Sequence, residues 1–486
     1  MQGGPRMTNI PPQGELFLQG VEALGRWIAD YLDHSEHYPV LARVRPGEIR
    51  KRLPSSPPET PEPLERVFAD FQEILLPGIT HWNHPAFFAY FAITGSAPGV
   101  LGELLCAALN VNGMLWRTCP AATELEEVTL DWLRQLLGLP PQFGILMDTA
   151  SVASLCAMAA AREALGLDIR RQGMAGRADL PRLRIYTSEQ AHSSIEKGAI
   201  VLGFGQEGVR KIPTDDAYRM RPDALERAIE DDLQAGVRPV CVVATVGTTS
   251  TTSVDPVPEI AEICGRYGLW LHVDAAYAGA AAILPERRHV LDGCERADSF
   301  LVNPHKWLAV PIDCTAFYTR RPEVLRRAFS LVPEYLRTEE EAVNFMDYTI
   351  QLGRRFRALK LWMVLRAFGA CGLREMIRRH IALAQEFAAW VDDDPDFERV
   401  APVPFSTVCF RARPRGVAEE ELDSLNERLL EAVNASGEAY LSHTRLRGRF
   451  VLRLAIGHLR TERRHVERCW KLLREEVRRL GVGGKR

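Results

Sequence analysis

Hydrophobic and polar positions along the 486-residue chain change their period twice, which divides it into three zones. Up to about residue 95 apolar residues recur at helical spacing in separate pieces, GELFLQGVEALGRWIADYLDH and LERVFADFQEILLPGI, joined by the proline-rich LPSSPPETPEP at 53 to 63. Such pieces make no convincing core alone, so they are expected to lie on the rest of the chain or on a second copy of it. From about 96 to 370 helical and strand-like patterns alternate. TELEEVTLDWLRQLLGLP reads as a helix opening on a capping box of Thr123 and Glu126 and stopping at Gly138 before Pro140. SVASLCAMAAAREALG reads as an alanine-rich helix, and LRIYTS (183–188), PVCVVATVG (239–247), LWLHVD (269–274), SFLVN (299–303) and TAFYTR (315–320) read as buried strands. The alternation predicts an α/β domain with a mainly parallel sheet covered by helices. After about 370 a helix, the strand STVCFRAR, the helix EEELDSLNERLLEAV, paired strands near 439–456 and a last helix predict a small α+β domain over 371–486.

Composition adds little to that picture but removes alternatives. With 46% hydrophobic and 25% charged residues the chain is expected to be a soluble globular protein of two or three domains. Sixty basic and sixty-three acidic residues give a net charge of −3 with no basic block, which argues against nucleic acid or an anionic membrane as partner and for a small molecule. No apolar run approaches the roughly 18 residues of a membrane helix, and no leader pattern precedes Leu16, so the cytoplasm is the expected compartment. Ten cysteines stand singly, without CxxC pairs or zinc spacing, and are expected to be reduced and mostly buried; no metal site is expected.

In an open α/β sheet, chemistry gathers at the C-terminal ends of the strands. Three such ends carry unexpected polar groups. Asp274 closes LWLHVD and is followed by small residues; alone it reads as a helix cap. His192 follows LRIYTS, and alone would be structural. Lys306 stands in the apolar frame of VNPHKWLAVPIDC (302–314), where a lone lysine would snorkel to the surface. Together they meet a single demand. Pyridoxal 5'-phosphate needs a lysine amine for a Schiff base, a carboxylate to keep its ring nitrogen protonated and a flat group against its ring. Lys306, Asp274 and His192 supply one each. The phosphate needs backbone N–H groups at a helix start, where Thr149, Ala150 and Ser151 open the alanine-rich helix. Asp148 puts a negative charge beside that position, where a glycine would be easier to explain.

The motifs WNHPAFFAYF (82–91), CPAATELE (119–126), EQAHSS (189–194), VATVGTT (243–249), WLHVDAAYAG (270–279), NPHKWL (303–308) and LGRRFRALKLW (352–362) carry a resemblance over nearly the whole chain. The chain resembles the group II pyridoxal-phosphate-dependent amino-acid decarboxylases, and among them the aromatic-L-amino-acid decarboxylases. The resemblance implies a type I aminotransferase-like fold and a homodimer with residues 1–95 packed across the partner. It also implies a cofactor-binding domain over 96–370 and a small C-terminal domain over 371–486. Carried over, Lys306 matches the cofactor-bound lysine, Asp274 the ring-nitrogen partner, His192 the stacked histidine and Ala276 the small residue opposite it. Thr149, Ala150, Ser151, Asn303 and His305 match the phosphate-binding positions, Thr245 a threonine lining the site, and Tyr335 the tyrosine of a catalytic loop. The implied reaction is decarboxylation of an L-amino acid to an amine and CO2, with Tyr335 as candidate proton donor assisted by His192.

For substrate the resemblance points to Trp82, Phe91, Ile93 and Met114, which suit a flat apolar side chain, and to Gly353, which leaves room for a large one. Ala92-Ile93 and Met114 depart from the residues common in relatives, so the particular aromatic amino acid stays open. A decarboxylase of a non-aromatic amino acid remains an alternative, with Arg117 the one basic residue in these stretches. A second alternative is an aromatic aldehyde synthase, which the pairing of Tyr335 with His192 argues against. A non-catalytic relative is disfavoured because every carried-over catalytic position is filled.

Overall fold

The computed structural model describes residues 13–331 and 342–481. Seven strands form the large sheet: β1 (Phe143–Met147), β2 (Leu183–Ser188), β3 (Val209–Ile212), β4 (Arg238–Thr245), β5 (Trp270–Asp274), β6 (Ser299–Val302) and β7 (Thr315–Thr319). Their order is β1-β7-β6-β5-β4-β2-β3, and only β7 runs against its neighbours. Five of these strands coincide with the apolar runs. The two that the pattern does not reveal are the edge strands. β3 has four residues and carries Arg210 and Lys211, while β1 contains Gly144, a residue that strands ordinarily avoid. A Cβ at Gly144 would meet Tyr318 and Leu130 at 3.2 Å, so those side chains would have to give by a few tenths of an ångström.

Central strands β4 and β5 are buried almost throughout, as expected where helices cover both faces. One core cluster gathers around Val242, Ala244, Leu271 and Val273, and another around Ile185, Cys241, Val243 and the helix Ala150–Ala164. Parallel register pairs Thr245 with Asp274 and Asp274 with Leu301, which fixes those strand ends beside one another.

A second, antiparallel sheet has the order β10-β11-β9-β8, from β8 (Phe397–Arg399), β9 (Thr407–Ala412), β10 (Ser442–Leu446) and β11 (Arg449–Ala455). The helices Glu419–Ser436 and Arg463–Gly481 share a core with it. The two sheets are linked by the helix Arg357–Asp393, which is broken at Gly369 (φ 60°), next to the change of pattern near 370. Residues 86–89 belong to the smaller sheet's core: Phe88 N–H donates to Tyr440 C=O at 2.8 Å, and Ala455 N–H donates to Phe88 C=O at 2.9 Å. This stitching brings WNHPAFFAYF and β11 to the same place.

One expected local feature is corrected. The helix Pro120–Leu137 begins three residues before Thr123, with proline in its first turn, so Thr123 caps nothing. Glu126 turns inward instead, accepting the Leu146 N–H at 2.8 Å and pairing with Arg354 at 2.6 Å. A buried cation competing for the carboxylate outweighs a local capping bond. The predicted stop at Gly138 is observed, with φ 75°.

Candidate active site

The C-terminal ends of β1, β2, β4, β5 and β6 lie on one side of the large sheet and open into a cavity of about 350 Å3. Thr149, Ala150, Ser151, His192, Thr245, Asp274, Ala276, Asn303, His305 and Lys306 all line it, as do Trp82, Phe91 and Ile93. Residues drawn from six separate stretches of sequence therefore meet at one point.

Lys306 sits in the short helical turn Pro304–Trp307 that follows β6. Its neighbour Trp307 is locked: the indole Nε1–H donates to His380 Nδ1 at 3.0 Å and the ring stacks on Tyr277 at 4.6 Å. Tyr277 stacks in turn on Phe91 at 3.8 Å, and the Lys306 ammonium lies 5.3 Å from that ring's centroid. Burial pushes the Lys306 amine below its ordinary pKa; Asp274 opposes this and Arg453 adds to it. Among the described residues the lysine forms neither an ion pair nor a cap, contrary to what a surface lysine would do.

Asp274 accepts the Ala276 N–H at 3.1 Å and is almost fully buried. On the same face of β5, His272 bridges Ser154 Oγ (3.3 Å) on the helix Ala150–Ala164 and Ser299 Oγ (2.9 Å) on β6. One ring thus ties together the helix Ala150–Ala164, the strand that ends at Asp274 and the strand that precedes Lys306. His192 Nδ1 accepts the Ser194 N–H at 3.2 Å, so its proton sits on Nε2; burial lowers its pKa first, and Lys306 adds to that. His305 Nδ1 faces both the Cys314 C=O at 2.7 Å and the Cys314 N–H at 3.0 Å, and burial drops its pKa to about 4. Asn303 Oδ1 accepts the Thr315 hydroxyl at 2.9 Å.

Sequence reasoning missed Arg453, on β11. Its guanidinium lines the cavity, is nearly fully buried, donates to the carbonyls of Ser250 and Ala89 at 3.0 Å each, and lies 4.6 Å from the Phe91 ring centroid. Among the described residues no carboxylate comes within ion-pair distance of it. The signal available was weak, since RFVLRLA reads as an ordinary strand whose arginines would face solvent. Gly247 was also passed over. It has φ 89°, and a Cβ there would come within 2.5 Å of Ala278 Cβ, so the chain can make this close turn at the cavity wall only with glycine.

Two candidates lie elsewhere. Met114 and Gly353 do not line the cavity of their own chain, because Arg354 pins both segments to the flank of the helix Pro120–Leu137. Arg354 N–H donates to Asn112 Oδ1 at 2.9 Å, and Gly113 N–H donates to Arg354 C=O at 2.8 Å. Tyr335 lies outside the described residues.

The cavity fits pyridoxal phosphate on three counts. A half-buried amine and a buried carboxylate line it without pairing with each other, which leaves space for a group between them. Thr245 Oγ1 is buried without a partner. The helix Ala150–Ala164 opens on small residues, and beyond its Thr149 cap the first-turn N–H groups of Ala150 and Ser151 have no recorded acceptor among the described residues.

Comparison with known proteins agrees with this geometry. The pyridoxal-dependent decarboxylase conserved domain matches residues 46–413. Phenylacetaldehyde synthase of Arabidopsis thaliana is 42% identical over 490 residues, 98% of this chain and 99% of its own. Tyrosine decarboxylase 4 of Petroselinum crispum is 44% identical over 468 residues, 93% of this chain and 91% of its own. The crystal structure of Catharanthus roseus tryptophan decarboxylase in complex with L-tryptophan matches with a TM-score of 0.90 and 40% identity, covering 97% of this chain and 100% of that one. With a family model spanning most of the chain and a site whose lysine, carboxylate and helix start suit the cofactor, this chain belongs to the pyridoxal-dependent decarboxylases and is a carboxy-lyase of type I fold.

Proposed function

We propose that this enzyme decarboxylates an aromatic L-amino acid to the corresponding amine and CO2, acting as a cytoplasmic homodimer. The observation that carries the reading is a single cavity that joins Lys306, Asp274 and His192 to an aromatic wall of Trp82, Tyr90 and Phe91. Relatives named tryptophan, tyrosine and aromatic-L-amino-acid decarboxylase support the substrate class.

When bound, pyridoxal phosphate supplies an aldehyde that condenses with amines and a ring that accepts the electron pair left by a departing carboxyl group. Thr149, Ala150, Ser151, Asn303 and His305 would hold its phosphate, Asp274 its ring nitrogen, and His192 and Ala276 the two ring faces, with Thr245 at the edge. Lys306 is the amine that anchors it, and burial shifts that amine toward its neutral, nucleophilic form. Arg453 adds an uncompensated positive charge that draws an anionic group into the cavity. Tyr335 donates the proton that replaces the lost carboxyl group, and His192, with its proton on Nε2, assists.

The homodimer is supported by exposed apolar residues on two helices. Gln13–His34 buries no residue and exposes Phe17 and Leu18, and Ala97–Leu109 exposes Leu101, Leu105 and Leu109. In such a dimer Met114 and Gly353 serve the partner's cavity, where they widen the pocket for the substrate ring. Ten free cysteines support a reducing compartment.

A second reading, an aromatic aldehyde synthase, is favoured by relatives of that name, including Rhodiola rosea 4-hydroxyphenylacetaldehyde synthase with a TM-score of 0.90 and 37% identity over 97% of this chain and 99% of that one. The two reactions are separated by one assay. Purified enzyme is given tyrosine, tryptophan, phenylalanine, dihydroxyphenylalanine, histidine or glutamate while amine, aldehyde and hydrogen peroxide are measured. Amine without peroxide from an aromatic substrate is the expected result; equimolar aldehyde and peroxide would replace the first reading by the second.

A further inference from the structure

A helix start attracts any anion nearby, whether it arrives with a ligand or belongs to the chain. Asp148 is such a resident anion. It stands immediately before Thr149, the cap of the helix Ala150–Ala164, yet its side chain is not part of the cavity wall. Both carboxylate oxygens are engaged: Oδ1 accepts the Thr149 N–H at 2.6 Å, and Oδ2 accepts the Gln351 side-chain N–H at 2.9 Å. Its backbone carbonyl receives the Thr315 hydroxyl at 3.2 Å, the same hydroxyl that bonds Asn303. Among the described residues no cation lies within ion-pair distance of it. Arg357 senses its charge but is committed to Asp313 at 2.8 Å.

Two effects follow for a phosphate at Ala150 and Ser151. One neighbouring N–H donor is already used by Asp148, and a fixed negative charge stands one residue away from a dianion. We propose that Asp148 weakens the site's hold on the phosphate, so that the cofactor exchanges readily. The proposal rests on the pyridoxal phosphate reading of the cavity.

Replacing Asp148 by asparagine isolates the charge, because an amide oxygen still accepts the Thr149 N–H while the amide NH2 bonds Gln351 once that side chain turns over. Apoenzymes of the wild type, Asp148→Asn and Gln351→Ala are titrated with pyridoxal phosphate and with pyridoxal, which lacks the phosphate, by absorbance and tryptophan fluorescence. Asp148→Asn is expected to bind pyridoxal phosphate about tenfold more tightly and pyridoxal unchanged, since removing a like charge acts on the phosphate alone. Gln351→Ala, which keeps the charge, is expected to retain the wild-type ratio of the two affinities. An unchanged affinity of Asp148→Asn for pyridoxal phosphate, or an equal gain for pyridoxal, overturns the proposal. A wild type that binds neither compound overturns the cofactor reading instead.

Discussion

At the scale of single residues, burial shifts the charge balance of the groups that line and back the cavity. Burial lowers the pKa of the Lys306 amine, and the buried guanidinium of Arg453, lining the same cavity, adds to the effect. Lys306→Ala is expected to remove the visible absorbance of the lysine-bound cofactor and to lower turnover by at least about 10^3-fold, read by spectrum and amine release. Arg453→Met is expected to raise the KM for the amino acid about tenfold by withdrawing the uncompensated charge. Asp255 lies just behind the site, accepting the N–H groups of Thr245 and Met220 at 2.8 and 2.7 Å. Burial raises its pKa from the usual 3.8 to about 6, so the folded state disfavours its charge. That cost is absent below the unfolded pKa near 4 and complete above about 6, so this group takes away stability as pH rises, by about 3 kcal/mol. Comparing melting of wild type and Asp255→Asn at pH 4.5 and 7 should show the wild type losing more stability over that interval.

At the scale of elements, strand ends are held by long-range bonds more than by local ones. Glu126 and Arg354 are 228 positions apart in sequence, yet both are buried and their pair also secures the N–H and C=O of Leu146 on β1. Glu126→Ala would leave a buried arginine without its acid and is expected to cost about 3 to 5 kcal/mol, measured by chemical denaturation. This pair also explains why the capping-box reading failed. Thr123 and Glu126 have the right spacing, but spacing carries no information about a competing arginine that arrives from elsewhere. The central strands were legible because β-branched runs bounded by breaks leave a local signature. Edge strands β1 and β3 were not, because one depends on a glycine fitted against a tyrosine and the other is short and charged.

At the scale of the whole molecule, the cavity joins the large sheet to segments stitched onto the small one. The exposed apolar helix faces supply the surface that the proposed homodimer would bury. Replacing Leu105 and Leu109 together by aspartate is expected to give monomers by light scattering, with loss of activity greater than loss of secondary structure. In the whole enzyme, Tyr335→Phe is expected to divert turnover from amine toward aldehyde, ammonia and peroxide; a variant releasing only amine would remove Tyr335 from its proposed role.

The sequence alone determined the chemical groups and their places at strand ends. Lys306, Asp274, His192 and the small residues after Asp148 each lie within a few positions of a strand or helix boundary that local patterning reveals. Tertiary structure decided which distant groups join them. It brought Arg453 from β11 into the cavity, turned Glu126 from a cap into half of a buried ion pair, and held Met114 and Gly353 away from their own chain's cavity. The physical reason is that burial and pairing energies depend on neighbours in space. Periodicity and capping depend on neighbours in sequence, and where the two compete inside a protein the spatial ones prevail.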